Sequence, residues 1–296
     1  MENDIDSQEV NKFWAGVKIV SCNVASLNLS TAHLDSHNNK FKTKITSILK
    51  NKADIYLLQD TRLSNKSHIL KKFALCTEWG NFDMLQNSSM NRRGVVSLIK
   101  KSANIEVIEQ INSADENSMI LKLKKNDASI VIANVYGPTQ HESPNFLRNL
   151  KNELTRFNNL PIIVSGDFNA ISNCTKPNNL RCTLNKDLIG TVNIPNPRNS
   201  KIIQDWHQRG ILTDIFRARN PEKTEYSFVS FNLASTQRSR IDLTLVNDLG
   251  TKLIKSTEYI FLPRCFDHKM QLIKLTIPEQ STPRPDMKNL DLTCLR

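Results

Sequence analysis

An apolar run, Ile162-Ile163-Val164-Ser165, breaks at Gly166 into Asp167-Phe168-Asn169-Ala170. Such a run reads as a buried strand. Residues two positions apart share a side in extended structure, and a turn after the glycine still lets both reach one bound group. A carboxylate and a carboxamide delivered together by a rigid strand end suit phosphate chemistry. Gly-Asp-x-Asn equally serves an ordinary Asx-type turn, so the corner acquires meaning only beside other strand ends.

Polar residues recur at such ends: Asn23, Asp60, Tyr136, Asp242 and the pair Asp267-His268. Loops at strand ends carry function because the sheet fixes them in space. If Asp60, Asp167, Asp242 and Asp267 converge, their charges repel unless a cation neutralises them. Oxygen donors without a cysteine cluster favour a hard ion, Mg²⁺ or Mn²⁺. Each position also has a structural reading. Asn23 serves as a turn residue, Asp60 as a cap, Tyr136 as a core aromatic and Asp267-His268 as an ion pair. Asp242, inside an apolar strand, is harder to dismiss, since a buried unpaired acid is costly.

The elements that would position these groups follow from periodicity. Strands are expected at Val17–Val24, Ala53–Asp60, Gly94–Lys100, Ile105–Ile108, Met119–Leu123 and Ser129–Tyr136. Further strands are expected at the Asp167 run, Thr224–Val229, Arg240–Val246, Tyr259–Leu262 and Met270–Ile277. Helical spacing marks Phe41–Lys52, Pro144–Phe157 and Lys201–Arg209. Half-buried and fully apolar strands with helices between them predict an α/β fold: a two-layer β-sandwich flanked by helices. Residues 1–15 read as a flexible leader, 16–280 as the catalytic domain and 281–296 as a linker or tail.

The 296 residues carry 40 Lys+Arg against 29 Asp+Glu, a net charge of +11. That balance favours a polyanionic partner. The six cysteines form no C-x-x-C pair, which disfavours a zinc site. The start is polar and no apolar run reaches membrane-span length, so an intracellular protein that does not engage a membrane is expected. The 8 glycines include no nucleotide-binding glycine loop.

The ordered blocks Asn23, Gln59-Asp60-Thr61, Tyr136-Gly137-Pro138, Gly166-Asp167-Phe168-Asn169, Arg240-Ile241-Asp242 and Asp267-His268 resemble the exonuclease–endonuclease–phosphatase (DNase I-like) superfamily. Leu212-Thr213-Asp214-Ile215-Phe216-Arg217, Asn220-Pro221 and Thr224-Glu225-Tyr226-Ser227-Phe228 resemble its apurinic-type endonuclease domain from non-LTR retrotransposons, the long interspersed elements. The resemblance spans about Lys18 to Ile277. It implies a metal-dependent DNA endonuclease that nicks double-stranded DNA, leaving a 3′-hydroxyl to prime a reverse transcriptase of the same polyprotein. Its site of action would be the nucleus.

The resemblance also implies roles. Asp60, Asn23 and Asp242 would serve the metal. His268, oriented by Asp267, would bind the phosphate or move a proton. Asp167 would act on water or leaving group, and Asn169 and Tyr136 would hydrogen-bond phosphate oxygens. Which of Asp167 and His268 is the base stays open. For DNA contact the candidates are Arg62, Arg92, Arg93 and Ser227, with Arg238 and Arg240 at the hairpin Ser230–Ser239. Two residues depart from the pattern: Asp60 stands for the usual Glu, and Phe266 for the usual Ser before Asp-His. Both departures are expected to weaken the metal site. The alternatives are a cellular abasic-site repair endonuclease and a catalytically impaired nucleic-acid-binding relative.

Overall fold

Two six-stranded sheets face each other across an apolar core in the computed structural model. The structure describes residues 7–27, 43–63, 81–88, 93–139, 143, 145–172, 187–189, 195–230, 237–263 and 266–276. The first sheet runs β14 (Ile254–Ile260), β15 (Met270–Leu275), β1 (Lys18–Asn23), β2 (Ile55–Gln59), β4 (Val95–Lys100), β3 (Phe82–Asn87). The second runs β10 (Thr213–Asp214), β13 (Asp242–Val246), β8 (Ile162–Asp167), β7 (Ala128–Tyr136), β6 (Ser118–Lys125), β5 (Glu106–Asn112). A small third sheet joins β11 (Phe228–Ser230), β12 (Gln237–Ser239) and β9 (Leu188–Ile189).

Both large sheets place one parallel pair at their centre, β1 with β2 and β8 with β7. Every other pairing within these two sheets is antiparallel. The ends of all four central strands therefore carry the polar residues singled out above, and the bond between Asn23 and Asp167 brings the ends of β1 and β8 together.

Between the sheets pack Ile19, Ile55, Leu57, Ile132, Ile163, Ile273 and their neighbours. Helix α2 (Phe146–Leu154) lays Phe146, Leu147, Leu150 and Leu154 onto the outer face of the second sheet, as the sequence periodicity predicts. Helix α3 (Pro197–Gln208) joins it there through Ile203 and Trp206; it starts earlier than expected because Asn196 caps it, accepting from the amide of Asn199. Ile45 and Ile48, within a helix over 43–49, cover the outer face of the first sheet.

For residues 7–15 the leader reading is corrected. Residues Ser7–Phe13 form helix α1, Trp14 is fully buried, and its indole N–H donates to the carbonyl of Ala128 at 3.2 Å. Val10 and Trp14 thereby join the main core. The tail 281–296, Arg92, residues 231–236 of the hairpin and most of 172–200 lie outside the described residues. Among the described residues no helix is long and apolar enough to cross a membrane.

Candidate active site

The corner at Gly166 depends on close backbone approach. A Cβ on Gly166, whose φ is +155°, would lie 1.9 Å from the carbonyl oxygen of Val135, so only glycine fits between β7 and β8. Gly137 is similarly pressed, donating its amide to the carbonyl of Asp167 at 2.6 Å. Its own carbonyl accepts from Asn169 Nδ2 at 2.9 Å. Asn169 takes a left-handed φ of 46°, which asparagine tolerates.

Asp167 is buried and held on both oxygens. Asn23 Nδ2 donates to Oδ2 at 2.9 Å, and the amide of Asn169 donates to Oδ1 at 2.8 Å. Burial pushes its pKa up to about 7. The charge of His268 opposes that shift, that of Asp242 adds to it, and the two hydrogen bonds oppose it. Asp242 sits directly across from Asp167 in the β13–β8 register. His268 joins them: Nδ1 lies 2.8 Å from Asp242 Oδ2, and Nε2 lies 3.9 Å from Asp167 Oδ2. Burial lowers the His268 pKa, but the charge and hydrogen bond of Asp242, then the charges of Asp167 and Asp267, outweigh it and raise it to about 9.

Three further residues border the site among the described residues. Tyr136 pairs with Asp167 across β7–β8, and its phenol is pushed up by burial, then by the charges of Asp60 and Asp167. Phe228 packs on the His268 ring with centroids 4.9 Å apart. Tyr259 donates its hydroxyl proton to the carbonyl of Asp242 at 2.6 Å.

Several expected roles change. Asp267 is exposed, and Asp242, not Asp267, bonds the His268 ring. Two adjacent side chains at a strand entry point apart, which prevents the pairing that chain proximity suggested. Asp60 does not stand free for a metal: Arg62 Nε and Nη2 fork onto its two oxygens at 2.9 and 2.8 Å. Arg240 is no DNA contact. It is fully buried, bonded to Asp187 at 2.8 and 2.9 Å and to Asp214 at 2.6 Å. Ser227 is buried as well; its Oγ accepts from the amides of Ile241 and Asp242 at 3.1 and 3.0 Å and so fixes the start of β13. Arg62, Arg93 and Arg238 remain at least partly exposed. Phe266 is core, packed with Val20, Cys22 and Leu272.

A polar layer beneath the site was missed by the sequence reading. Gln59 Nε2 donates to Asn134 Oδ1 at 2.8 Å, and Asn134 Nδ2 donates back to the carbonyl of Val96 at 3.0 Å, tying the sheets together. Thr244 Oγ1 donates to Gln271 Oε1 at 2.8 Å in the same layer. Its signal was present: a polar residue inside an apolar run, such as Asn134 in Ile132-Ala133-Asn134-Val135, needs a buried partner. Lys44, also missed, donates to the carbonyls of Val24, Ala25 and Ser26 and secures the loop after Asn23.

The site suits a hard cation. Asp167, Asp242 and His268 each offer a ligand atom, all within 4.8 Å of one another, and burial of two carboxylates side by side calls for positive charge. His268 already spends Nδ1 on Asp242, so oxygen donors such as those of Asp242 and Asn23 are the better ligands.

Stacked mixed sheets gather carboxylates, an imidazole and amides at one shared end, an arrangement suited to phosphate-ester chemistry with a hard cation. The chain belongs to the Endonuclease/Exonuclease/phosphatase family, whose sequence pattern matches residues 20–263. It is 22% identical over 259 residues to the Transposon TX1 uncharacterized 149 kDa protein of Xenopus laevis, covering 85% of this chain. The chain spans only 18% of that relative. Its fold is similar to an AP endonuclease from Leishmania major, with TM-score 0.67, 15% identity, and 94% and 91% of the two chains covered. An AP endonuclease from Archaeoglobus fulgidus is similar too, with TM-score 0.63, 16% identity, and 88% and 100% covered.

Proposed function

We propose that this chain is the endonuclease of a non-LTR retrotransposon. It nicks double-stranded DNA and leaves a 3′-hydroxyl from which a reverse transcriptase region of the same polyprotein primes synthesis, in the nucleus. The observation that carries the nuclease chemistry is the connected set Asn23–Asp167···His268–Asp242, drawn from both sheets into one buried cluster. The net charge of +11 supports a DNA partner, and the likeness to a transposon protein supports the element.

In this reading Asp167 takes the proton of the attacking water or assists the leaving oxygen. A carboxylate raised toward neutrality is suited to either task. His268, held charged against Asp242, donates from Nε2 to a phosphate oxygen. That geometry favours Asp167 over His268 as the base. Asn23 orients Asp167, and Tyr136 and Asn169 line the phosphate's approach. A divalent ion, Mg²⁺ or Mn²⁺, would be held by the oxygens of Asn23 and Asp242, leaving Asp167 for the water, and would neutralise charge that builds on the phosphate in the transition state.

The test is nicking of supercoiled plasmid with Mg²⁺, Mn²⁺ or chelator, followed by polymerase extension from the nick. Metal-dependent nicks that extend directly support the proposal; nicks that need end repair before extension contradict it. An oligonucleotide pair, one intact and one with a single abasic analogue, separates the substrates. Strong preference for the abasic strand would favour repair over retrotransposition.

A further inference from the structure

The loop after β2 is fixed from both sides. The amides of Ser26 and Leu27 donate to the carbonyls of Asp60 and Thr61 at 2.8 and 2.9 Å. The amides of Thr61 and Arg62 donate to those of Gly94 and Arg93 at 3.1 and 2.7 Å. Asp60 and Arg62 both adopt left-handed φ, 51° and 52°, a conformation uncommon outside glycine and held here by the surrounding bonds.

The side chains follow that backbone. Arg62 forks onto both oxygens of Asp60, a planar match that fixes a guanidinium's orientation. Exposure is unequal: the Asp60 side chain is 7% exposed and the Arg62 side chain 48%. The carboxylate is therefore an anchor, and the bonds to it use only part of the guanidinium's N–H donors. A divalent ion approaching Asp60 meets a positive charge already in place, so Arg62 would have to leave first. Asp in place of the longer Glu keeps the carboxylate withdrawn toward Arg62.

The pair also faces the site. Tyr136 lies in the field of the Asp60 and Asp167 carboxylates and of the Arg62 and Arg93 guanidiniums. Arg62 in turn feels Tyr136 and Asp267.

Resting on the nuclease reading above, we infer that Asp60 and Arg62 form a preset clamp for a DNA backbone phosphate beside the cleaved bond. Asp60 is a positioning residue for Arg62 and not a metal ligand; the ion belongs to the oxygens across the pocket. A guanidinium fixed before binding loses less side-chain freedom when the phosphate arrives.

The experiment measures binding of the full chain to an intact duplex across a salt series in chelator, with Mn²⁺ binding followed separately by electron paramagnetic resonance without DNA. Arg62→Ala should weaken binding about tenfold at low salt and reduce the slope of log K against log salt by about 0.9, one phosphate contact. Arg62→Lys should keep the slope but lose affinity, since charge remains and the fork does not. Asp60→Asn should weaken DNA binding with unchanged Mn²⁺ affinity. Mn²⁺ affinity down tenfold or more in Asp60→Asn, with DNA binding intact, would overturn the clamp. So would an unchanged slope in Arg62→Ala, which decides alone should Asp60→Asn fail to fold. Absence of salt-dependent binding by the wild type would overturn the nuclease reading along with the clamp.

Discussion

His268, at the entry to β15 of the first sheet, takes its orientation from Asp242 of the second sheet and not from Asp267 beside it in the chain. The imidazole thus reports the position of β13, which Ser227 and Tyr259 hold in place. Asp242→Asn should lower the single-turnover nicking rate by about 10²-fold or more, the scale of a positioned acid–base partner. Asp267→Asn should cost about tenfold or less. Equal losses in the two variants would return the orienting role to Asp267.

Ser227 should show the opposite balance between stability and DNA contact. Ser227→Ala strands two buried amides, a cost of roughly 1–3 kcal/mol. Urea denaturation should register that loss, while the salt slope of DNA binding stays at the wild-type value. A changed slope with unchanged stability would make Ser227 a phosphate contact after all.

The residue that departs from the family pattern before Asp-His is structural. Phe266 fills the cluster around Val20 and Leu272, with the ammonium of Lys44 5.4 Å over its ring. Phe266→Ser should therefore destabilise the fold, by about 3–5 kcal/mol if the cavity does not collapse. A higher nicking rate with unchanged melting temperature would show that the serine had been missing from the chemistry.

Acid should unfold the protein partly through Asp214. Burial raises the pKa of Asp214, but the charge and hydrogen bond of Arg240, with bonds from Ser172 and the Arg217 amide, outweigh it and lower the pKa below 3.8. A carboxylate lowered on folding contributes stability above its unfolded pKa and loses it as pH falls through the folded one. Asp214→Asn should be less stable at pH 7 and show a flatter loss below about pH 4. Parallel acid limbs for variant and wild type would contradict this.

Much of the site was legible because strand ends are written in local pattern. Asn23, Tyr136, Asp167 and Asn169 each terminate or follow a run whose burial the structure matches. What failed was pairing over distance. Arg240 reads as an exposed hairpin arginine until Asp187 and Asp214 arrive from 53 and 26 residues away to neutralise it. A second gap is local: nothing in the spacing of Asp60 and Arg62 announces the left-handed turn that pairs them. Helix α1 was hidden because its buried contribution is small, Val10 within it and Trp14 just beyond, inside an otherwise polar leader.

In the proposed reaction Asp167 and His268 act on one phosphodiester with a divalent ion bound. Its most direct measurement is single-turnover cleavage of an end-labelled duplex by wild type, Asp167→Ala and His268→Ala, with Mg²⁺ and with chelator. Metal-dependent cleavage by the wild type, slowed by about 10²-fold or more in each variant while duplex binding persists, is the predicted result. Cleavage at wild-type rates by either variant, or undiminished by chelator, would contradict the account.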